Sequence, residues 1–427
     1  MPPIQDHPLR YPLANELHAR PFPATSVPCT AVYIAIKQPD DAAHRDRTKD
    51  MDHLIDLLDR FGAPHPQPGA THYSGTIGRH MIKWEQHTEF VTYTAFLDGV
   101  SDRPFNPVDF EVFPEDWLAR APGQRITSIM LRVLERPVDE QIGTLIGDWF
   151  VPESVAVAHV LDNAAVVAGD FRIDGAGHQR FAVFVSPDVG RRRVGRVVQR
   201  LCEIETYKSM SMLGFSRARK LSGLLGDLDG RLTALMGDMS EGRVPAEQTL
   251  ASLLSISAEL ETLAAQSSFR FGATGAYDAI VNQRIDVLRE TRFLGRQTFG
   301  EFMMRRFEPA MRTVKSTERR LETMADRAIR AGDLLRTRVD VERSAQNQKL
   351  LESMDSRADM QLRLQHTVEG LSVVAISYYA VSLAGYLLYP LTSVTGLSKG
   401  HILALATLPV VALVWYFVRR IRARINK

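Results

Sequence analysis

Two uncharged apolar runs near the C-terminus constrain the fold of this chain more than any other feature. The first, GLSVVAISYYAVSLAGYLLYP, covers residues 370–390, and the second, HILALATLPVVALVWYFV, covers 401–418. Neither contains Asp, Glu, Lys or Arg. A helix of about 20 residues rises about 30 Å, which is the thickness of the hydrocarbon core of a bilayer. The two runs therefore predict a transmembrane helical hairpin with a short polar connector.

The charges that flank the runs predict the orientation of this hairpin. Arg357 and Arg363 precede the first run and five Lys or Arg residues follow the second, whereas the connector holds only Lys399. Because cytoplasmic flanks of membrane helices are enriched in Lys and Arg, both termini are predicted to be cytoplasmic. The N-terminal sequence lacks the apolar core of a secretory signal. We therefore expect a multi-pass protein of the inner (cytoplasmic) membrane, with the lipid bilayer as a partner.

Residues 1–190 are predicted to form a cytoplasmic α/β domain. Short stretches rich in β-branched and aromatic residues alternate with Gly and Pro, which is typical of strands joined by turns. Helices are expected at Ala42–Phe61 and Pro137–Asp148, where apolar residues recur at helical spacing. The predicted strands are 27–36, 71–84, 88–97, 127–134, 154–161, 165–173 and 180–186.

Residues 191–368 are predicted to form a helical stalk or bundle, because prolines become rare and apolar residues follow a period near 3.6. The predicted helices are 194–212, 217–239, 246–266, 274–293, 295–306, 309–331 and 333–367. The last helix continues into the first membrane run, and its thin apolar stripe favours packing against partner helices. A homo-oligomer is therefore expected. Residues 369–427 complete the chain with the two transmembrane helices and a basic tail.

A polar cluster near the N-terminus is the most specific local sequence. HPLRYPLANELHARPFP places two histidines, a glutamate and two arginines within a few positions of one another. Such a set suits anion binding or acid–base chemistry. Alternatively, the segment is an arm whose polar side chains tie it to the body of the protein. The candidate ligand-binding residues are His7, Arg10, Asn15, Glu16, His18 and Arg20.

Other site chemistry has little support in the sequence. Eight of the twelve histidines precede residue 90, but no HxH or HExxH spacing occurs, so no metal site is predicted. The two cysteines, Cys29 and Cys202, are isolated, and a net charge of +2 does not favour nucleic acid as a partner. Walker, GxSxG and GxGxxG motifs are absent. No catalytic residue and no cofactor is predicted, and an enzyme is the less favoured class.

Five arginines lie in one ten-residue segment at the start of the helical region. They are Arg191, Arg192, Arg193, Arg196 and Arg200. Cations are unfavourable at a helix N-terminus because the macrodipole is positive there. The segment therefore predicts anionic partners, which are either acidic neighbours such as Glu203 and Glu205 or a phosphate-bearing ligand.

The polar side chains within the membrane runs are hydroxyls without charge. This composition argues against a proton relay and against a carrier that coordinates a charged substrate. If the protein is a channel, the predicted pore-lining residues are Ser372, Ser377 and Ser382.

The chain resembles a bacterial family of membrane-anchored proteins known only as a domain of unknown function. The strings that carry this resemblance are HPLRYPLANELHARPFP, GDWFVPESVAVAHVLDNAAVVAGDFR and RVVQRLCEIETYKSMSMLGF, followed by the paired spans. The architecture is also similar to that of CorA-type magnesium channels, which are pentamers with a long helix entering the first of two spans. Those channels carry Gly-Met-Asn at the end of the first span, where this chain has YLLYPL.

Three hypotheses follow from the sequence. The favoured one is a two-pass protein that anchors a cytoplasmic sensor or scaffold module. The second is a CorA-like oligomeric channel or transporter of a small ion. The third is a membrane-anchored enzyme that uses the N-terminal polar cluster.

Overall fold

The computed structural model of the protein describes residues 4–16, 22–40, 42–241, 243–391 and 398–425. Packing divides the chain into two compact units. The first contains Met1–Arg243 and Ala251–Ala331, and the second contains Val244–Leu250 and Gly332–Lys427. The sequence predicts three domains, with boundaries at residues 190 and 368. These boundaries were placed by changes in composition, not by packing, and they stay predictions.

The first unit is built on a mixed sheet whose strands run in the order β2-β3-β4-β1-β5-β8-β7-β6-β9. Neighbouring strands are antiparallel except for β5 and β8, which are parallel. The predicted α/β character of this half of the chain is thus confirmed. The strands are β1 Cys29–Lys37, β2 His72–Ile77, β3 His80–Gln86, β4 Phe90–Asp98, β5 Gln124–Glu135, β6 Ala156–Val160, β7 Ala165–Ile173, β8 Gln179–Val185 and β9 Thr291–Arg292.

One predicted strand is in fact a hairpin. Residues 71–84 were expected to form a single strand, but β2 and β3 are separated there by a turn at Gly78 and Arg79. Gly78 has a φ of +55°, a conformation that glycine adopts without steric cost. This glycine therefore allows the chain to reverse within two residues.

The sheet is covered on both faces. Helices α2 (Thr48–Arg60) and α4 (Asp139–Trp149) pack on the face that carries Val32 and Ile34 of β1, in one apolar core. Because successive strand residues point to opposite faces, Tyr33 lies on the other face, where its hydroxyl is 2.8 Å from the Thr206 hydroxyl of the long helix α5. The remaining helices are α1 Arg10–Glu16, α3 Glu115–Leu118, α5 Arg191–Glu241, α6 Ala246–Asp286, α7 Phe299–Arg306, α8 Glu308–Leu387 and α9 Lys399–Ile425.

Three helices after residue 190 are longer than predicted, whereas α7 is shorter than the predicted helix 295–306. The gaps between the predicted helices contain Gly214, Gly272 and Gly332, but α5, α6 and α8 run through these positions. A glycine inside a helix costs about 1 kcal/mol, which packing readily offsets. At Gly214 the reason is visible, since a Cβ there would collide with the Thr274 side chain of α6. The glycine thus permits α5 and α6 to approach closely rather than ending a helix.

The second unit contains the C-terminal hairpin. The end of α8 and most of α9 are long and apolar enough to cross a membrane, as the two runs predicted. A Cβ on Gly385 would collide with the Leu403 side chain, so the two helices pack closely against each other at this level. Residues 392–397 of the connector lie outside the described residues.

Candidate functional site

The structure describes only part of the predicted N-terminal cluster. His7 and Arg10 are exposed and make local contacts: the His7 ring accepts a hydrogen bond from Leu9 N at 3.2 Å, and Arg10 pairs with Asp6. Asn15 and Glu16 lie in α1, but their side chains are outside the described part of the chain. His18 and Arg20 lie outside the described residues altogether. A ligand site made by this cluster stays a prediction.

The three serines predicted to line a pore occupy different environments. Ser372 is exposed and its hydroxyl donates to the Val368 carbonyl at 2.8 Å. Ser377 is buried, and Ser382 is half-buried. Residues five positions apart are rotated by about 140° around a helix axis, so the three do not share one side of α8. Their role in a pore stays a prediction.

The face of the sheet beneath α5 is the most unusual site of the first unit, because it is both buried and polar. On β3 and β4, Ile82, Trp84 and Tyr93 point into the apolar core on the α2 side. The alternate residues Lys83, Thr92 and Thr94 point towards α5 and are also buried. Buried polar groups are costly unless they find partners. This face therefore needs a hydrogen-bond network.

That network is centred on Lys83. Its ammonium group donates to Gln199 Oε1 at 2.8 Å and lies 3.1 Å from a Glu85 carboxylate oxygen. Gln199 in turn donates to Glu203 Oε1 at 2.7 Å, and Glu203 accepts a second hydrogen bond from Arg284 of α6. Charges from the sheet, α5 and α6 are thus joined in one chain of contacts. The cavity beside it has a volume of about 20 Å³, which is room for one water molecule.

A wider opening continues from this cavity. It has a volume of about 280 Å³ and shares His87, Phe90 and Tyr207 with the closed end. His87 stacks on Phe90 at 4.4 Å between ring centroids, and Tyr207 stacks on Tyr277 at 5.5 Å. We call the cavity and this opening together the α5 groove. Its outer part is lined by these aromatic side chains together with polar residues such as Gln86 and Thr88.

A buried ion pair fixes the rim of the α5 groove. Glu89, in the turn between β3 and β4, accepts hydrogen bonds from both terminal nitrogens of Arg270 on α6. The Tyr277 hydroxyl donates to the same carboxylate at 2.9 Å. Burial, together with the negative charge of Glu89, raises the pKa of Tyr277. The tyrosine is therefore neutral and serves as a hydrogen-bond donor at any physiological pH.

The cysteine of the α5 groove is not activated for nucleophilic attack. Cys202 is its only cysteine among the described lining residues, and burial raises the pKa of its thiol well above the ordinary value. Burial likewise raises the pKa of Tyr33. Thiolate is the reactive form of cysteine, so this side chain is a poor nucleophile. Within the described part of the chain, no group of three His, Cys, Asp or Glu side chains is placed to hold a metal ion.

Sequence reasoning did not identify the α5 groove. The segment HMIKWEQ holds the local signal, since Lys83 and Glu85 alternate with the apolar Ile82 and Trp84. That pattern predicts a strand with one polar face, which ordinarily faces water. Only the structure shows that α5, more than 100 residues further along the chain, covers this face.

A search of protein families finds one whose description is "Protein of unknown function (DUF3422)", and it matches residues 5–425. No curated protein matches the chain significantly. No solved structure does so either, so the similarity to CorA-type channels finds no support there.

Proposed function

We propose that this chain, which belongs to the DUF3422 family of proteins of unknown function, is a two-pass inner-membrane protein. Its membrane part anchors a cytoplasmic ligand-sensing module. The module is the first unit with its α5 groove, and the anchor is the hairpin of α8 and α9. The aromatic and polar lining of the α5 groove supports a sensing role for this module.

The main support for a membrane anchor is the exposure of apolar side chains on the hairpin. In the most apolar stretches of the two helices, only 11% and 6% of the residues are buried within the protein. Leu371, Leu405 and Leu408 are among the large side chains that remain exposed. So large an apolar surface is unfavourable in water and favourable in lipid.

The two ends of the hairpin support a transmembrane arrangement. At one end Lys399 lies within 6.0 Å of the ring centroids of Tyr386 and Tyr389, and at the other Arg419 lies 5.0 Å from that of Trp415. Aromatic and basic side chains are enriched at membrane–water interfaces. Their occurrence at both ends fits helices that cross the bilayer, and the excess of basic residues after Trp415 supports cytoplasmic termini.

Cysteine labelling in intact cells tests this proposal. The native cysteines are both buried, so they give little background. Lys399→Cys should react with a membrane-impermeant maleimide in intact spheroplasts, whereas Arg357→Cys should react only after lysis. Alkaline carbonate should leave the protein in the membrane pellet. Labelling of Arg357→Cys from outside, or release by carbonate, would refute the proposed topology.

We also propose that the protein is a homo-oligomer. Between residues 343 and 368 the described side chains of α8 are exposed, including Leu350, Met354 and Leu362. Copies anchored in one membrane present this helix in the same direction, which supports parallel packing of their apolar stripes. Light scattering of the detergent-solubilised protein should give a mass above one protomer, and a monomer would contradict this.

The channel hypothesis has weaker support than the anchor. It relies on the continuity of α8 from Glu308 to Leu387, a feature of CorA-type channels, and on the hydroxyls of the first span. The different environments of Ser372 and Ser377 do not favour a single polar line along the helix. Ion flux into proteoliposomes that contain the protein, if Ser372→Val abolished it, would support the channel hypothesis.

A further inference from the structure

Seven arginines are concentrated where the start of α5 meets the end of α6. Arg200 of α5 donates to the Val287 carbonyl just beyond α6 at 3.0 Å, and Arg284 of α6 reaches Glu203 of α5. These two contacts hold the segments together. The arginine cluster consists of Arg191, Arg192, Arg193, Arg196, Arg200, Arg284 and Arg289.

Two carboxylates of the described residues contact the cluster, and both are already engaged. Asp162 lies 2.6 Å from Arg289 and 3.9 Å from Arg193, so a single negative charge is shared by two guanidinium groups. Glu203 pairs with Arg284 and also accepts the hydrogen bond from Gln199. Among the residues that the structure describes, positive charge is therefore in excess here.

Arg196 and Arg200 lie in the middle of this excess. Arg196 is exposed, and its guanidinium carbon lies 4.8 Å from the centroid of the Phe22 ring. Arg200 is half-buried, and its pKa is lowered by burial first and then by the charges of Arg196, Arg284 and Arg289. Like charges brought together in partial burial destabilise the folded state unless an anion offsets them.

We propose that the arginine cluster binds a phosphomonoester or pyrophosphate group, with Arg196 and Arg200 as its central ligands. Residues four positions apart share one side of a helix, so both guanidinium groups serve the same site. The planar fork of arginine matches pairs of phosphate oxygens, and a dianion offsets more positive charge than a carboxylate does. This site lies beyond the α5 groove and does not depend on the anchoring function.

Thermal denaturation and calorimetry of the full-length protein in a non-ionic detergent test the proposal, with sodium pyrophosphate as the probe. Pyrophosphate should raise Tm more than sodium sulfate at equal ionic strength. Arg196→Gln/Arg200→Gln should weaken pyrophosphate binding at least tenfold. The matched control is Arg219→Gln, another exposed α5 arginine, 5.9 Å from the Phe215 ring centroid, and it should leave the affinity unchanged.

Mixed micelles that contain phosphatidic acid or phosphatidylcholine identify the source of the phosphate. If the protein binds phosphatidic acid through Arg196 and Arg200 but does not bind pyrophosphate, the site is assigned to a lipid headgroup. If it binds pyrophosphate but not phosphatidic acid, the site is assigned to a soluble ligand. The proposal is overturned if neither probe binds. It is also overturned if the double variant still binds the probe, or if Arg219→Gln weakens binding as much as the double variant does. If the double variant does not fold, Arg196→Gln alone serves, because that side chain is exposed.

Discussion

The ion pair between Glu89 and Arg270 gives the most demanding test of how the first unit is held together. The two side chains are 1% and 18% exposed, so Glu89→Gln removes one charge of a pair that is nearly inaccessible to water. Removing one partner of a buried pair costs about 3–5 kcal/mol, because the other charge is left without compensation. Globular proteins gain about 2.1 cal/mol/K of entropy per residue on unfolding, so for a unit of this size we expect Tm to fall by about 4–7 °C. The fluorescence of the buried Trp84 and Trp117 reports this unfolding.

An exposed pair of the same chemistry provides the control. Arg231 of α5 donates two hydrogen bonds of 2.9 Å to Glu259 of α6, but these side chains are 43% and 45% exposed. Solvent screens such a pair, so Glu259→Gln should lower Tm by less than a third of the Glu89→Gln shift. Equal shifts in the two variants would refute the argument that burial, rather than bidentate geometry, sets the strength of the pair.

Three further predictions follow from buried groups of the first unit. In Gly195→Ala, the added Cβ collides with the carbonyl oxygen of Pro23, so trypsin should cleave the N-terminal arm faster than in the unchanged protein. Gly223→Ala, which lies in open space on the same helix, should not change the cleavage rate. Burial lowers the pKa of His53, so the folded state resists a proton that the unfolded state accepts near pH 6.5. The free energy of unfolding should therefore fall as the pH drops below about 6.5. His53→Gln should flatten the dependence of Tm on pH between about pH 7.5 and 5.5. Burial raises the pKa of Cys29 to about 12, so a thiol reagent should find no fast-reacting cysteine in the native protein at about pH 8 and two after denaturation.

Local patterns in the sequence were sufficient to predict the two long apolar helices near the C-terminus and the α/β class of the first unit. Charge-free apolar runs of about 20 residues predict long apolar helices, and period-two stretches separated by Gly and Pro indicate strands. Helix ends were harder to predict, because a glycine is compatible either with a break or with close packing. At Gly214 the decision depends on Thr274, a residue 60 positions away that the local pattern does not contain.

The α5 groove could not be predicted because its residues come from distant segments. Lys83 and Gln199 are 116 positions apart, and Glu89 and Arg270 are 181 apart. Each residue has an ordinary local explanation, such as a solvent-facing strand position or a charged helix face. The N-terminal cluster was predicted instead because its polar residues are adjacent in sequence, and a ligand site there stays a prediction.

The pairing of other buried arginines indicates why the arginine cluster is different. Arg45, Arg180 and Arg270 each lie within 3.2 Å of a carboxylate oxygen, so the fold supplies one negative charge for each. Arg132 reaches a backbone carbonyl, but Asp109 and Asp102 provide the opposite charge nearby. Arg200 also reaches only a carbonyl, yet its charged neighbours are three arginines and one glutamate. Among the residues that the structure describes, Arg200 is thus a half-buried cation without a carboxylate contact, which supports the proposed binding of an anion from outside the chain.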